Sequence, residues 1–153
     1  MRRPTYRGPR LAVRAVIVSG GRLLLVNAYP GQESDLWCAP GGGVERGQSL
    51  GENLAREVRE ETGLAIRTGR LLGIEEFADP VSGFHQVEIL FRASLAGSPA
   101  SAVLADPEGV VNRLRWVGRD EIGGLRVKPD SLPRLAFGPA QAAEVGRLDR
   151  MAP

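Results

Sequence analysis

Two rhythms of apolar and polar positions divide the chain. Residues 11–18, LAVRAVIV, are β-branched and apolar apart from Arg14. They predict a strand, and RLLLVNA at 22–28 predicts a second one across the turn signal SGG. A loop at 29–35 leads to a short strand in LWCAP, stopped by Pro40, and then to a glycine-rich loop at 41–48. From Ser49 the period changes. Ser49 and Glu52 form the capping-box pattern S-x-x-E. Leu50, Leu54 and Val58 recur every fourth residue, and Gly63 stands where a helix end favours a left-handed residue. This predicts a helix from Leu50 to Thr62. Strand-like stretches follow at 65–79 and 85–96, separated by the turn DPVSG. Residues 97–112 read as a long loop and LRWVG at 114–118 as a strand. RDEIGGL suggests a helical turn, and GPAQAAEVGRLDRM at 138–151 suggests a C-terminal helix. Several strands around one well-capped helix predict an α/β or α+β layered fold in a single domain spanning 1–153.

The helix raises a chemical question. On a wheel of about 100° per residue with Leu50 at zero, Leu54 and Val58 fall at about 40° and 80°, and Glu57, Glu61 and Glu60 at about 340°, 20° and 280°. The carboxylates flank the apolar stripe, at the rim of a core. Like charges there raise one another's pKa values and destabilise the fold unless a cation compensates them. A solvated helix face accounts for the wheel equally well. The preceding Gly41, Gly42 and Gly43 allow close approach of backbone to a ligand, with a plain tight turn as the competing reading.

Composition narrows the choice of cation. The chain has 153 residues, one cysteine (Cys38) and one histidine (His85). Cysteine-based zinc sites and multi-histidine sites are therefore excluded, and oxygen ligands favour Mg²⁺ or Mn²⁺. Hydrophobic residues make up 42% and charged residues 25%, as in ordinary globular chains. No apolar run approaches the roughly 18 residues of a membrane span. No export signal is evident, so the default expectation is cytoplasmic. Nineteen of the twenty basic residues are arginines, Lys128 being the exception, and the first 32 residues hold six arginines and no acid. Arginine suits phosphate recognition, although a compositional bias accounts for the same numbers. With aromatics at 5% and no basic-aromatic stripe, nucleic acid is not an expected partner.

Loop and helix together resemble the Nudix box, G-x5-E-x7-R-E-U-x-E-E-x-G-U, with U a bulky aliphatic residue. Gly42, Arg56, Glu57, Val58, Glu60, Glu61, Gly63 and Leu64 match at the required spacing, and the usual PGG precedes them. Gln48 stands where the box has its first glutamate, keeping the hydrogen-bonding reach and losing the charge. The resemblance implies a Nudix fold, a mixed β-sheet sandwiched between helices. It also implies hydrolysis of a nucleoside diphosphate linked to another moiety, by water attack at phosphorus with Mg²⁺ or Mn²⁺. Glu57 and Glu61 are then the principal metal ligands, joined by Glu60 and the Gly41 carbonyl. Arg56 orients a neighbouring glutamate. Gln48 implies fewer or weaker metal sites.

The general base varies within the family. Here Glu108 is the first candidate, followed by Glu88 and Asp106, although an ordinary loop acid explains Glu108 as well. Pro80, sixteen residues beyond Leu64, points to ADP-ribose or nucleotide-sugar substrates, and it also suits a turn. Tyr29, Trp37 and Phe84 are candidates to stack a base, with core packing the competing role for Trp37. His85 reads as a strand histidine and Cys38 as a buried apolar residue. Arg2, Arg3, Arg7 and Arg10 offer anion contacts over the pocket or toward a partner subunit, so a homodimer stays open. Two further readings also stay open: a house-cleaning nucleoside triphosphate pyrophosphohydrolase, and a nucleotide-binding sensor domain without turnover.

Overall fold

The computed structural model describes residues 8–27, 35–97 and 113–150. The chain order is β1 (Arg10–Ser19), β2 (Arg22–Asn27), β3 (Leu36–Cys38), β4 (Gly41–Gly43), α1 (Leu50–Thr62), β5 (Ile66–Ala78) and β6 (His85–Leu95). It continues with β7 (Arg113–Gly118), α2 (Arg119–Ile122), β8 (Arg126–Lys128), α3 (Leu132–Phe137) and β9 (Glu144–Arg150).

The strands form one mixed sheet in the order β8-β3-β2-β1-β6-β5-β9, with β4 paired to β1 and β7 to β2. β1 lies at its centre. It runs parallel to β6 over Arg10–Ile17 and antiparallel to β2 at Val18 and Ser19. At Ala12–Arg14 it pairs instead with β4. The sheet therefore parts between β2 and β4, and the Ala15 N–H closes the gap on the Pro40 carbonyl at 2.8 Å.

Alternation along β1 assigns its two faces. Val13, Ala15 and Ile17 pack against Leu54, Val58 and Leu64 under α1. Val16, with Leu90 of β6, packs against Trp37, Leu132 and Ala136 on the other side, where α3 covers the sheet. The mixed sheet is thus sandwiched between helices, as the resemblance implies. Among the described residues, no helix is long and apolar enough to cross a membrane.

The predicted helix is present from Leu50 to Thr62. Ser49 Oγ accepts from the Glu52 N–H at 3.1 Å, and Glu52 Oε2 accepts from the Ser49 N–H at 3.2 Å, completing the capping box. Gly63 ends the helix at φ 75°, in the left-handed region open to glycine. Two expectations need correction. Gly41–Gly43 is the short strand β4 rather than part of a loop, because a run without side chains can lie between β1 and α1. Residues 138–150 do not form a helix. Their segment Glu144–Arg150 is β9, which pairs in parallel with the open edge of β5. Gly146 permits this, since a Cβ there would collide with the Glu75 carboxylate. Edge pairing overrides a weak local preference. β8 and α3 were not foreseen in the sequence.

Candidate active site

The site begins with β4, on which glycine makes room for two carboxylates. A Cβ on Gly42 would collide with the Glu57 carboxylate, so this side chain lies directly over the glycine backbone. Next to it, the Gly41 N–H donates to Glu61 Oε2 at 3.1 Å. Gly41 itself admits no side chain, because a Cβ would strike the Val13 carbonyl. Glu61 is buried, the Glu57 side chain is 17% exposed, and Glu60 turns further outward at 42%. The three acids therefore form a graded series from core to solvent, one step richer than the rim position read from the helical wheel.

Arg56 organises the outer part of this series. Its Nη1 donates to Glu57 Oε1 at 3.1 Å and to Glu60 Oε2 at 3.3 Å. Its Nε donates to Gln48 Oε1 at 3.1 Å and its Nη2 to Asn53 Oδ1 at 3.1 Å. Burial pulls the Arg56 guanidinium down, Glu57 and the other acids pull it up, and the net shift is upward. Gln48, the departure from the box pattern, thus contacts the box arginine through its carbonyl oxygen.

Asn53 was missed in the sequence. It is fully buried, donates to the Gly43 carbonyl at 3.0 Å and accepts from the Glu45 N–H at 2.7 Å. It pins the glycine strand to α1 and steadies Arg56. A fully polar side chain one turn before Glu57, beside the apolar stripe, was the available signal.

On the other face of the sheet lies a cleft of about 830 Å³, lined by residues that include Arg10, Arg14, Gln86 and Glu88 and none of the helix acids. Arg14 connects the two. Its Nε donates to Glu88 Oε1 at 3.0 Å and its Nη1 to the Ala39 carbonyl at 3.2 Å, just before Pro40 and Gly41. Gln86 Nε2 donates to the same Glu88 oxygen at 2.8 Å, and Arg10 Nη1 donates to Gln86 Oε1 at 2.8 Å. Arg10, Gln86, Glu88 and Arg14 form one hydrogen-bonded chain across the cleft floor. Burial lowers the Arg14 pKa, but Glu88, Cys38 and Glu61 outweigh it and the net shift is upward. Burial pushes the Cys38 thiol up to about 11, against the pull of Arg14. The residue as a whole is partly exposed and lines the cleft, while its thiol is turned to the Val26 carbonyl at 3.6 Å. The importance of Arg14 was visible in the sequence only as an interruption of an apolar strand.

The other candidates divide. Phe84, 41% exposed, lines the cleft together with Phe77. Trp37 is a core residue. Pro80 is exposed in the turn between β5 and β6. His85 opens β6, and its Nε2 is buried with no hydrogen-bond partner among the described residues. Glu108, Asp106, Tyr29, Arg2, Arg3 and Arg7 lie outside the described residues.

Among the described residues, no three acidic, histidine or cysteine side chains converge as a ready-made cation cage. The nearest approach to one is the helix face carrying Glu57, Glu60 and Glu61, with Glu57 lying over Gly42 and Glu61 accepting from the Gly41 N–H. That set suits a hard divalent cation.

Comparison with known proteins agrees with this architecture. The family model for the NUDIX domain matches residues 8–136. The ADP-ribose pyrophosphatase of Methanocaldococcus jannaschii is 31% identical over 97 residues, covering 63% of this chain and 57% of that protein. The chain thus spans little more than half the length of this relative. The MutT NUDIX hydrolase from Burkholderia pseudomallei superposes with a TM-score of 0.66 at 28% identity, covering 75% of this chain and 87% of that one. A UDP-X diphosphatase shares the fold, with a TM-score of 0.68 at 23% identity over 92% of this chain and 69% of that one. With its box helix capped, its glycine strand beneath the helix acids and its sheet enclosed between helices, this chain belongs to the Nudix family.

Proposed function

We propose that the protein is a Mg²⁺- or Mn²⁺-dependent hydrolase that cleaves the diphosphate of a nucleoside diphosphate linked to a sugar-like moiety, releasing a nucleoside monophosphate and a sugar phosphate. The observation that carries this reading is the placement of Glu57 over Gly42 and of Glu61 on the Gly41 N–H, beside a cleft whose floor holds Arg10 and Arg14. Glu57 and Glu61 are the principal ligands in this reading, with Glu60 and the Gly41 carbonyl completing the oxygen set. When bound, the cation neutralises the diphosphate and polarises the attacking water.

The chain's own residues do the rest. Arg56 holds Glu57 and Glu60 in register and is a positioning residue. Arg14 anchors the Ala39 carbonyl and so fixes the turn that presents Gly41. Arg10 has Gln86 as its hydrogen-bond partner, a neutral group, so its charge is available to a phosphate. Glu88 is held by Arg14 and Gln86 on one oxygen, which suits a structural role in the cleft floor better than that of a mobile base. Glu108 remains our candidate for the general base. The ADP-ribose-like substrate class is supported by the cleft's size, by Phe77 and Phe84 on its wall, and by the similarity to an archaeal ADP-ribose pyrophosphatase.

Turnover of a panel of ADP-ribose, nucleotide sugars and nucleoside triphosphates, with Mg²⁺ and with Mn²⁺, tests the reading. Glu57→Gln and Glu61→Gln should each lower kcat by roughly 100-fold or more, the scale of lost transition-state charge stabilisation. Glutamine still accepts the Gly41 N–H, so circular dichroism should stay unchanged. Near wild-type rates in both variants would refute the metal assignment. A far higher kcat/KM for triphosphates than for any nucleotide sugar would replace it with the house-cleaning reading, and no turnover across the panel would favour a sensor.

A further inference from the structure

Four arginines gather around the end of α3 on carbonyl partners. Arg92 of β6 donates through Nη2 to the Leu135 carbonyl at 2.7 Å and through Nη1 to the Ala136 carbonyl at 3.5 Å. Arg119 of α2 donates to the next carbonyl, that of Phe137, and lies over the Phe137 ring at 5.9 Å. Arg70 of β5 donates to the Gln141 carbonyl at 3.3 Å, and Arg134 of α3 donates to Gln141 Oε1 at 3.1 Å. Arg70 and Arg92 are neighbours: burial lowers the Arg92 pKa, and the charge of Arg70 lowers it further. Among the described residues, none of the four arginines forms an ion pair. The acids on this side do not offset them. Glu75 is taken up by the Ser131 hydroxyl at 2.6 Å, and Glu121 pairs with Arg115 at 3.7 Å. Asp120 and Glu144 are exposed to solvent, which screens them. No acid lines the shallow hollow between Arg119 and Arg134.

We propose that this arginine face binds the phosphate backbone of a nucleic acid strand without reading its bases. The proposal is independent of the hydrolase reading. A carbonyl partner orients a guanidinium and leaves its full charge in place, so these side chains are pre-organised for an anion. Each guanidinium has five N–H donors, and the bonds above use one or two of them. The carbonyls of Leu135, Ala136 and Phe137 are already occupied. The helix end thus offers donors, and a phosphate chain presents acceptors only. An acidic peptide would also bring N–H groups, for which these carbonyls are no longer open. Arg70 adjoins Arg92, and Arg92 and Arg119 share three consecutive carbonyls, so the charges follow one another along the surface. A small anion meets one or two of them, whereas a strand meets the series. The Phe137 ring is engaged by Arg119, so recognition runs through phosphates and not through stacked bases. The four arginines come from β5, β6, α2 and α3, which is why no basic stripe marks them in the sequence.

Fluorescence anisotropy on the full chain, in EDTA, tests this. The probe is an oligouridylate of about 12 nucleotides, within the usual site size for single strands, with a 5′-hydroxyl and a 3′-fluorescein. It carries no diphosphate, so the box helix has nothing to act on. The wild type should bind with a dissociation constant below about 10⁻⁴ M at about 0.1 M salt, and more weakly as salt rises. Arg70→Gln combined with Arg134→Gln removes two contacts. Binding should weaken by about tenfold, and the slope of log K against log salt should fall by about 1.4, at about 0.7 per contact on a single strand. Arg126→Gln combined with Arg150→Gln removes the same charge on the cleft side. It should change affinity by less than about threefold, because a Debye length of about 10 Å screens distant charges. Arg70 and Arg134 are exposed, so melting should stay at the wild-type temperature. If their double variant does not fold, Arg134→Gln decides alone, with a loss of about threefold and a slope lower by about 0.7. Equal weakening by the two double variants, an unchanged salt slope, or wild-type binding weaker than about 10⁻⁴ M overturns the proposal. So does an oligoglutamate of equal charge that competes as well as unlabelled oligouridylate, which assigns the face to an acidic protein segment. None of these outcomes bears on the hydrolase reading.

Discussion

Arg56 is the residue on which the candidate site is balanced. Its guanidinium donates to Gln48, Asn53, Glu57 and Glu60 and pairs with Glu45 at 3.5 Å, and Glu57 and Glu60 are acids that our reading assigns to a cation. A cation entering the site must draw Glu57 and Glu60 partly away from Arg56, so the competition between arginine and metal sets the metal affinity. Gln48 enters this competition as a neutral acceptor. Gln48→Glu gives Arg56 a charged partner at the same place, and charge-assisted hydrogen bonds are roughly twice as strong as neutral ones. Glu57 and Glu60 are then released more readily. The variant should therefore reach half-maximal rate at a lower Mg²⁺ concentration, by roughly two- to tenfold, in a titration of initial rate against free Mg²⁺. An unchanged titration would show that position 48 does not communicate with the cation through Arg56.

At the scale of elements, β4 and α1 act as one unit: three residues without side chains and a helix that lays its acids on them. Gly42→Ala separates the geometry from the stability. The added Cβ meets the movable end of Glu57 and not backbone, so the fold should survive. A displacement of about 1 Å at the reacting centre is enough to lower kcat by about 100-fold, with a melting temperature close to wild type. Gly41→Ala meets the Val13 carbonyl within the sheet and should lower the melting temperature sharply. Equal melting of the two variants would contradict this division. The helix of this unit was fully legible in the sequence, because capping box, apolar stripe and terminal glycine all act within a few residues. The strand of the unit was not, because glycine carries no hydrophobic pattern and its pairing is decided by β1, some thirty residues earlier. The acids Glu57, Glu60 and Glu61 were legible by spacing. Arg14, Gln86 and Glu88 became a group only through the parallel register that sets Ala12 beside Glu88, and no local pattern encodes that register. β9 was misread for the same reason: its identity lies in the open edge of β5, not in its own residues.

For the whole molecule, β1 has the largest consequences, since it is bonded to β2, β4 and β6 and buries both faces in separate cores. Its register with β6 joins residues as distant as Arg10 and Gln86, 76 positions apart. Such a parallel pair cannot form locally, and its loop must close before any contact compensates the lost chain entropy. The helix–glycine unit, by contrast, is nearly contiguous. Refolding should accordingly run on a scale of roughly milliseconds to seconds, with α1 gaining structure before the central pair is zipped. Native-state amide exchange offers the check. The amides of β1 and β6 should exchange only through global unfolding, and those of β9, bonded to β5 along one edge and largely exposed, through smaller openings at lower free energy. If β9 proved as protected as β1, the cleft wall it forms would be part of the cooperative core. If it exchanges early, the wall carrying Asp149 can breathe while the box helix stays intact. In mild denaturant the helix and its glycine strand would then stay in place after the β9 side of the cleft has already opened.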